Sequence, residues 1–257
     1  MDLPTNPFKA ALRAGHQQTG LWCTIADTTV AEMLAGCGYD WMLLDAEHSA
    51  LDALTVLPML QAVAPYPTHA VVRPRCLDEA EIKRLLDFGT QSLLIPMVNT
   101  AEEARRAAAA VAYAPEGMRG VAGMTRASGF GTIPDYPRRA RAEICLLVQV
   151  ETRQALENLD AILAVEGVDG VFIGPADLAA SLGHPGEPSH PAVRAACADA
   201  IRRIRAAGKP AGFLTLDRPV LEEMVAAGSL FTAVDVDIAI LRRGAAETAA
   251  RWKRREG

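Results

Sequence analysis

Residues 146–152 (LLVQVET) and residues 170–178 (GVFIGPADL) decide the fold of this chain. Each begins with an aliphatic, β-branched run that is too short for a helix and typical of a buried strand. The intervening segment predicts one helix at about residues 153–165, so the two strands form a β-α-β unit and run parallel. The runs end in carboxylates, Glu151 and Asp177. Because adjacent parallel strands lie about 4.8 Å apart, these carboxylates can meet a single divalent ion.

The rest of the chain repeats this alternation of strand and helix. Six more strands are predicted, at residues 20–25, 41–45, 70–73, 92–96, 211–214 and 230–235. Helical patterns separate them, and the length matches the roughly 250 residues of one (β/α)8 barrel. We therefore predict a single TIM barrel domain over residues 1–257. An open doubly wound sheet is the alternative, but no Gly-rich phosphate fingerprint follows the first strand.

Some local patterns predict where helices begin. Thr29 and Glu32 have the spacing of a capping box, as do Thr100 and Glu103. Another helix is expected to start near Ser49. Residues 115–141 are rich in Gly and Pro, which predicts a long loop of the kind that often forms a lid or a partner contact.

Composition narrows the class of protein. The 31 acidic residues outnumber the 26 basic ones, giving a net charge of −5, and no concentrated basic face suggests nucleic acid. The five cysteines are scattered singly, which favours buried thiols in a reducing cytoplasm. No apolar run approaches the length of a membrane span, and the N-terminus has no signal-peptide pattern. We expect a soluble, cytoplasmic enzyme.

In a TIM barrel the active site lies at the carboxyl ends of the strands. The polar residues predicted there provide a cation, a base and a carboxylate pair; they are Asp45, His48, Arg73, Gln149, Glu151, Asp177 and Asp235. Each alone has a structural explanation: Arg73 as a surface ion-pair residue, His48 as a loop residue, and Asp235 as a helix cap, which we favour for Asp235. The group together indicates chemistry more strongly than any one member does.

The two carboxylates indicate a bound metal ion, and the cation and the base indicate the reaction that the metal would support. Oxygen ligands without cysteine or paired histidine favour a hard ion, Mg²⁺ or Mn²⁺, with Co²⁺ and Zn²⁺ as alternatives. Such an ion can polarise the carbonyl of a 2-oxo acid and stabilise an enolate. Arg73 could add positive charge at the same oxygen. His48, with Asp45 available to orient it, could move a proton. No lysine is predicted inside the barrel, which argues against Schiff-base catalysis.

The chain also resembles the HpcH/HpaI family of metal-dependent class II aldolases. The matching runs include residues 41–48 (WMLLDAEH), 72–74 (VRP), 82–89 (IKRLLDFG), 94–98 (LIPMV), 147–152 (LVQVET) and 171–178 (VFIGPADL). The resemblance implies reversible cleavage of 4-hydroxy-2-oxo acids to pyruvate, or a related 2-oxo acid, and an aldehyde. It also implies a homohexamer in which the last helix packs on a partner subunit.

By that resemblance each site residue has an expected role. Glu151 and Asp177 ligate the metal, Arg73 stabilises the enolate, and His48 transfers protons with Asp45 behind it. Asp87 belongs to the same supporting network. Four further positions are expected to bind substrate: Gln149 and the backbone of Gly174, Pro175 and Ala176 at the oxo-acid end. Leu214 is expected at the aldehyde end, in its own or a neighbouring subunit's pocket.

Two other functions remain open from the sequence. One is a lyase acting on a CoA ester such as malyl-CoA or citramalyl-CoA, although a CoA pocket would want a basic rim and this chain is acidic. The other is a non-catalytic metabolite-binding barrel. A binder would not need a base facing the metal, so His48 and Arg73 argue against it.

Overall fold

The computed structural model describes residues 1–253, so the last residues of the predicted 1–257 domain lie outside the described part. Its eight strands form a closed barrel in sequence order, and every neighbouring pair is parallel. The strands are Gln18–Cys23 (β1), Trp41–Asp45 (β2), His69–Arg73 (β3), Ser92–Ile95 (β4), Cys145–Val150 (β5), Gly170–Ile173 (β6), Ala211–Leu214 (β7) and Ser229–Val236 (β8). The predicted (β/α)8 TIM barrel is confirmed.

Helices alternate with the strands and cover the outside of the barrel. They are Pro7–Arg13 (α1), Thr28–Ala35 (α2), Ala53–Val63 (α3), Glu79–Asp87 (α4), Ala101–Ala110 (α5), Tyr136–Glu143 (α6), Arg153–Glu157 (α7), Leu159–Leu163 (α8), Pro175–Ser181 (α9), Pro191–Ala206 (α10), Arg218–Ala227 (α11) and Asp237–Lys253 (α12). In the part of the chain that is described, no helix is long and apolar enough to cross a membrane.

Side chains that accept backbone N–H groups fix the helix starts. Thr100 and Glu103 form the predicted capping box of α5. The prediction for α2 was wrong, because Asp27 caps this helix by accepting from Thr29 and Val30. Helix α3 begins later than predicted, since Asp52 caps it.

Two predicted segments divide differently in the structure. The helix expected at residues 153–165 is two short helices, α7 and α8, which meet at Asn158. The long loop predicted at residues 115–141 contains a 3-10 turn, Arg126–Ser128, and the first residues of α6. Helices of this length are too short to show the apolar periodicity from which helices are predicted.

Two separate apolar layers hold the barrel together. One lies between the strands and the surrounding helices, and the other fills the barrel interior, where aromatic rings dominate. Phe8 of α1 packs against Trp41 and Phe231, closing the amino-terminal end. A β-carbon on Gly20 would lie 2.1 Å from the Trp41 ring, so this ring requires glycine on β1. The filled interior leaves the opposite end, at the strands' carboxyl ends, for polar groups.

Candidate active site

A chain of hydrogen bonds joins the ends of β2, β3 and β5. Asp45 and Arg73 are register partners at the carboxyl ends of β2 and β3. The Arg73 guanidinium donates to Asp45 through Nε at 2.9 Å and Nη2 at 2.7 Å, and Nη1 donates to Gln149 Oε1 at 3.5 Å. Gln149 Nε2 in turn donates to Glu151 Oε2. Four predicted residues are therefore brought together, and all four are buried.

Arg73 is held on every side. Besides Asp45 and Gln149, its guanidinium lies 4.7 Å from the centre of the Trp22 ring, a cation–π contact. Its Nη1 is 2.9 Å from Glu47 Oε2. Burial alone would raise the pKa of Asp45, but the hydrogen bonds and charge of Arg73 outweigh it and lower that pKa. The site thus keeps a fixed cation inside the barrel mouth.

Glu151 follows β5 and is almost completely buried. Burial raises its pKa to about 7, opposed by hydrogen bonds from Gln149 and from the Met97 backbone N–H, which is 2.8 Å from Oε1. The negative charges of Glu47 and Asp177 also contribute to this rise in the pKa of Glu151. Met97 has a φ of 55°, a left-handed conformation that is uncommon outside glycine. Such strain is common at functional sites, and here it accompanies the N–H that Glu151 accepts.

The sequence predicted Asp177 at the end of a strand, but the residue lies in the first turn of α9. Strand β6 ends at Ile173, Gly174 is the N-cap, and Pro175 starts the helix, a position at which proline is favoured. The carboxylate remains close enough to Glu151 and Glu47 to raise the pKa of both. Its residue is exposed, so the carboxylate pair opens to solvent on one side.

A metal ion fits this donor set. The negative charge of Asp177 helps to raise the pKa of Glu151, and a cation between the two carboxylates would relieve this repulsion. The approach is tight: a β-carbon on Gly174 would lie 2.3 Å from Glu151 Oε2, so glycine makes room for this carboxylate. Among residues 1–253, no three His, Cys, Asp or Glu side chains are grouped as a metal site. Two protein oxygens with open positions suit Mg²⁺, which usually retains water or substrate ligands.

His48 lies at the mouth of the site and its side chain is 63% exposed. The sequence predicted that Asp45 orients the His48 ring, but the Asp45 carboxylate is instead bonded to the backbone and to Arg73. Asp45 Oδ1 accepts the backbone N–H groups of Glu47 and His48, while the carboxylate nearest the ring is Glu47, at 3.9 Å from Nε2. Sequence reasoning missed Glu47, although its position between Asp45 and His48 was a signal.

Asp87 is not brought to this group within the chain. It ends α4, which leads to the amino end of β4, so it lies at the opposite end of the barrel. There it accepts from Arg119 Nη2 at 2.9 Å, and Arg119 is buried over the Tyr113 ring. Asp235, predicted as a helix cap, instead pairs with Arg243 on α12.

The positions predicted to bind substrate lie around the same mouth. Gly174, Pro175 and Ala176 form the turn from β6 into α9, beside Glu151. Leu214 ends β7 and is half-buried against the aromatic interior. A cavity of about 380 Å³ lies at the other end of the barrel and contains none of the predicted site residues. The carboxyl-end group is the better candidate because it combines buried charges, a cation and an exposed histidine.

Comparison with known proteins identifies the family of this chain. Residues 18–243 match the model of the family described as HpcH/HpaI aldolase/citrate lyase. A "Pyruvate aldolase" of Rhizobium etli is 57% identical over 98% of this chain and 99% of its own. A "4-hydroxy-2-oxo-heptane-1,7-dioate aldolase" of Salmonella paratyphi C is 52% identical over 96% of this chain and 94% of its own. The crystal structure of an HpcH/HpaI aldolase/citrate lyase family protein from Burkholderia cenocepacia has a TM-score of 0.93 and 36% identity, covering 97% of this chain and 100% of that one.

Proposed function

The chain belongs to the HpcH/HpaI aldolase/citrate lyase family, and we propose that it is a divalent-metal-dependent aldolase. It reversibly cleaves 4-hydroxy-2-oxo acids to pyruvate, or a related 2-oxo acid, and an aldehyde. The observation that carries this proposal is the continuous group of Asp45, Arg73, Gln149 and Glu151, which links a fixed cation through Gln149 to a buried carboxylate.

Glu151 and Asp177 hold the ion in this proposal. Mg²⁺ or Mn²⁺ suits their oxygen atoms best, with Co²⁺ and Zn²⁺ as alternatives. When bound, the ion supplies Lewis-acid polarisation of the substrate's keto oxygen. A metal also explains the burial of Glu151, since an ionised carboxylate without a counter-charge is costly there.

Arg73 stabilises the negative charge that develops as the C3–C4 bond breaks. The electrons of that bond pass to the keto oxygen, giving the enolate of pyruvate, and the C4 hydroxyl loses its proton as the aldehyde forms. Because Asp45 and Trp22 fix the guanidinium beforehand, little reorganisation is needed when the charge appears. Gln149 and the backbone of residues 174–176 bind the oxo-acid end, and Leu214 contacts the aldehyde end.

His48 transfers protons in this scheme. Its exposed position lets it exchange protons with solvent, which suits both removal of the C4 hydroxyl proton and proton delivery to C3. Asp87 takes no part within one chain, because it pairs with Arg119 at the opposite end of the barrel.

We also propose that the protein is a homohexamer in which α12 packs on a partner subunit. Of the residues of α12, only Asp237 is buried in the single chain. Ile238 and Leu241 expose 55% and 62% of their surfaces. Apolar side chains in such a row favour a protein–protein contact.

The test is retro-aldol cleavage of 4-hydroxy-2-oxo acids of varied chain length, with pyruvate detected and EDTA as the control. Release of pyruvate that EDTA abolishes and added Mg²⁺ or Mn²⁺ restores is the expected result. No release across the panel, with cleavage of malyl-CoA or citramalyl-CoA instead, would contradict the proposal and identify a CoA-ester lyase.

A further inference from the structure

Glu47 is the acidic residue of the site to which no role has been given above. It follows β2 directly after Ala46, and its carboxylate lies between two functional side chains. Its Oε2 is 2.9 Å from Arg73 Nη1 and 3.9 Å from His48 Nε2. Its location raises the question of which carboxylate, Asp45 or Glu47, serves the histidine.

The hydrogen-bonding capacity of Asp45 is already used. Oδ1 accepts from Arg73 Nε and from the backbone N–H groups of Glu47 and His48. Oδ2 accepts from Arg73 Nη2 and, at 3.1 Å, from Trp22 Nε1. A carboxylate offers about four acceptor sites, and Asp45 has five donors around it. It therefore holds the backbone and Arg73, and has no acceptor left for the His48 ring.

Glu47, in contrast, still has an oxygen that can accept a hydrogen bond. Its Oε2 is buried, and although Arg73 Nη1 is near, no donor is aligned with this oxygen in a hydrogen bond. A buried acceptor without an aligned donor is costly, so such an atom in a native site calls for a donor. The His48 ring is the mobile neighbour that can supply one, because a small rotation of this exposed side chain would shorten the 3.9 Å separation.

We propose that Glu47 is a positioning residue that accepts a hydrogen bond from His48 Nε2 and steadies the Nη1 side of the Arg73 guanidinium. This inference rests on the proposed aldolase function. Fixing the proton on Nε2 leaves Nδ1 as the proton acceptor, and it limits an exposed ring to one orientation. Asp45 then sets Arg73 from one side, and Glu47 links Arg73 to the histidine from the other.

Kinetics of Glu47→Gln test the proposal, because this change removes the charge and keeps the shape. We expect kcat for retro-aldol cleavage to fall by about 10–100-fold, the usual effect of losing a supporting partner. The KM for the oxo acid and the affinity for Mn²⁺ measured by calorimetry should stay close to wild type. Glu223→Gln is the matched control, since Glu223 pairs with Arg194 on the outer helices and should leave kcat unchanged.

A second measurement does not need turnover, and its deciding result comes from the wild-type protein. Imidazole ¹⁵N NMR of the wild-type protein with Mg²⁺ should show His48 protonated mainly on Nε2, and Glu47→Ala should mix the tautomers. A wild-type ring protonated mainly on Nδ1 would overturn the proposal.

Two outcomes with the variants would also overturn the proposal. Wild-type kcat in Glu47→Gln would remove Glu47 from the mechanism. Loss of Mn²⁺ affinity as large as that of Asp177→Ala would make Glu47 a metal ligand instead. If the wild-type protein cleaves none of the oxo acids, the proposed function fails, and the tautomer measurement alone decides the position of Glu47.

Discussion

Replacing Arg73 by alanine should damage both activity and stability, for separable reasons. The side chain is the fixed cation of the site, and removing one donor that stabilises a developing oxyanion costs about 10²–10³-fold in kcat. The same change leaves Asp45, which is 1% exposed, without its charge partner. Breaking a buried ion pair costs about 3–5 kcal/mol.

The lower end of that range applies here. Asp45 keeps hydrogen bonds from Trp22 and from two backbone N–H groups, which partly satisfy its charge. A loss of about 3 kcal/mol corresponds to a fall in melting temperature of roughly 6–12 °C for a protein of this size.

The double variant Arg73→Ala/Asp45→Asn separates the two effects. Removing the orphaned charge should recover most of the lost stability without recovering turnover. Thermal unfolding monitored by circular dichroism, with retro-aldol kinetics on the same samples, provides the comparison. Stability that is not recovered, or turnover of Arg73→Ala near the wild-type value, would refute this account of Arg73.

The stability that the Arg73–Asp45 ion pair provides should decrease in acid. Arg73 lowers the pKa of Asp45 below its ordinary value of 3.8 in the folded protein. The pair therefore stabilises the fold fully above that value, and its contribution is lost as pH falls through the lowered pKa. The stability difference between wild type and Arg73→Ala should accordingly shrink in acid and stay constant at neutral pH. A difference that grows on acidification would contradict this assignment.

Other predictions follow from the site. Because the pKa of Glu151 is raised from 4.5 to about 7, the metal-free protein should lose stability as pH rises through that interval, and Mg²⁺ should stabilise the protein more above pH 7 than below. Thermal unfolding with and without Mg²⁺ measures this effect. Equal stabilisation by Mg²⁺ above and below pH 7 would contradict the prediction. Gly174→Ala should weaken metal binding by displacing Glu151, whereas Gly244→Ala, with open space around its β-carbon, is the calorimetric control and should bind metal normally. His48→Ala should slow proton transfer more than pyruvate binding, and an equal loss of both would indicate a binding role. Leu241→Glu on α12 should reduce the assembly to smaller species by light scattering, and an unchanged mass would remove α12 from the interface.

Much of the fold could be read from the sequence because strand and helix signals agreed. The apolar runs at residues 41–45 and 211–214 predicted β2 and β7 with their observed bounds. Short helices were harder to predict from the sequence. The proline after Gly174 was the missed signal for α9, since proline favours the first position of a helix. Asn158 divides α7 from α8 within a pattern that otherwise suggests one helix.

The site was partly predictable for a similar reason. Residues at strand ends, such as Arg73 and Glu151, are positioned by topology, and the sequence placed them correctly. The partners of loop residues depend on local backbone turns that spacing does not determine. The sequence paired Asp45 with His48, yet the backbone after β2 turns its own N–H groups onto Asp45 and leaves Glu47 nearest the ring. The resemblance grouped Asp87 with these residues, but Asp87 ends α4 at the opposite end of the barrel, where it pairs with Arg119.

The most direct test of the central claim is exchange of the pyruvate methyl protons with D₂O, followed by NMR. It reports enolate formation without requiring the aldehyde to be known. We predict exchange by the wild-type protein that depends on Mg²⁺ or Mn²⁺, stops with EDTA, and is lost in Asp177→Ala while the fold remains intact. Exchange that continues without metal or without Asp177, or no exchange by the metal-loaded wild-type protein, would contradict the account.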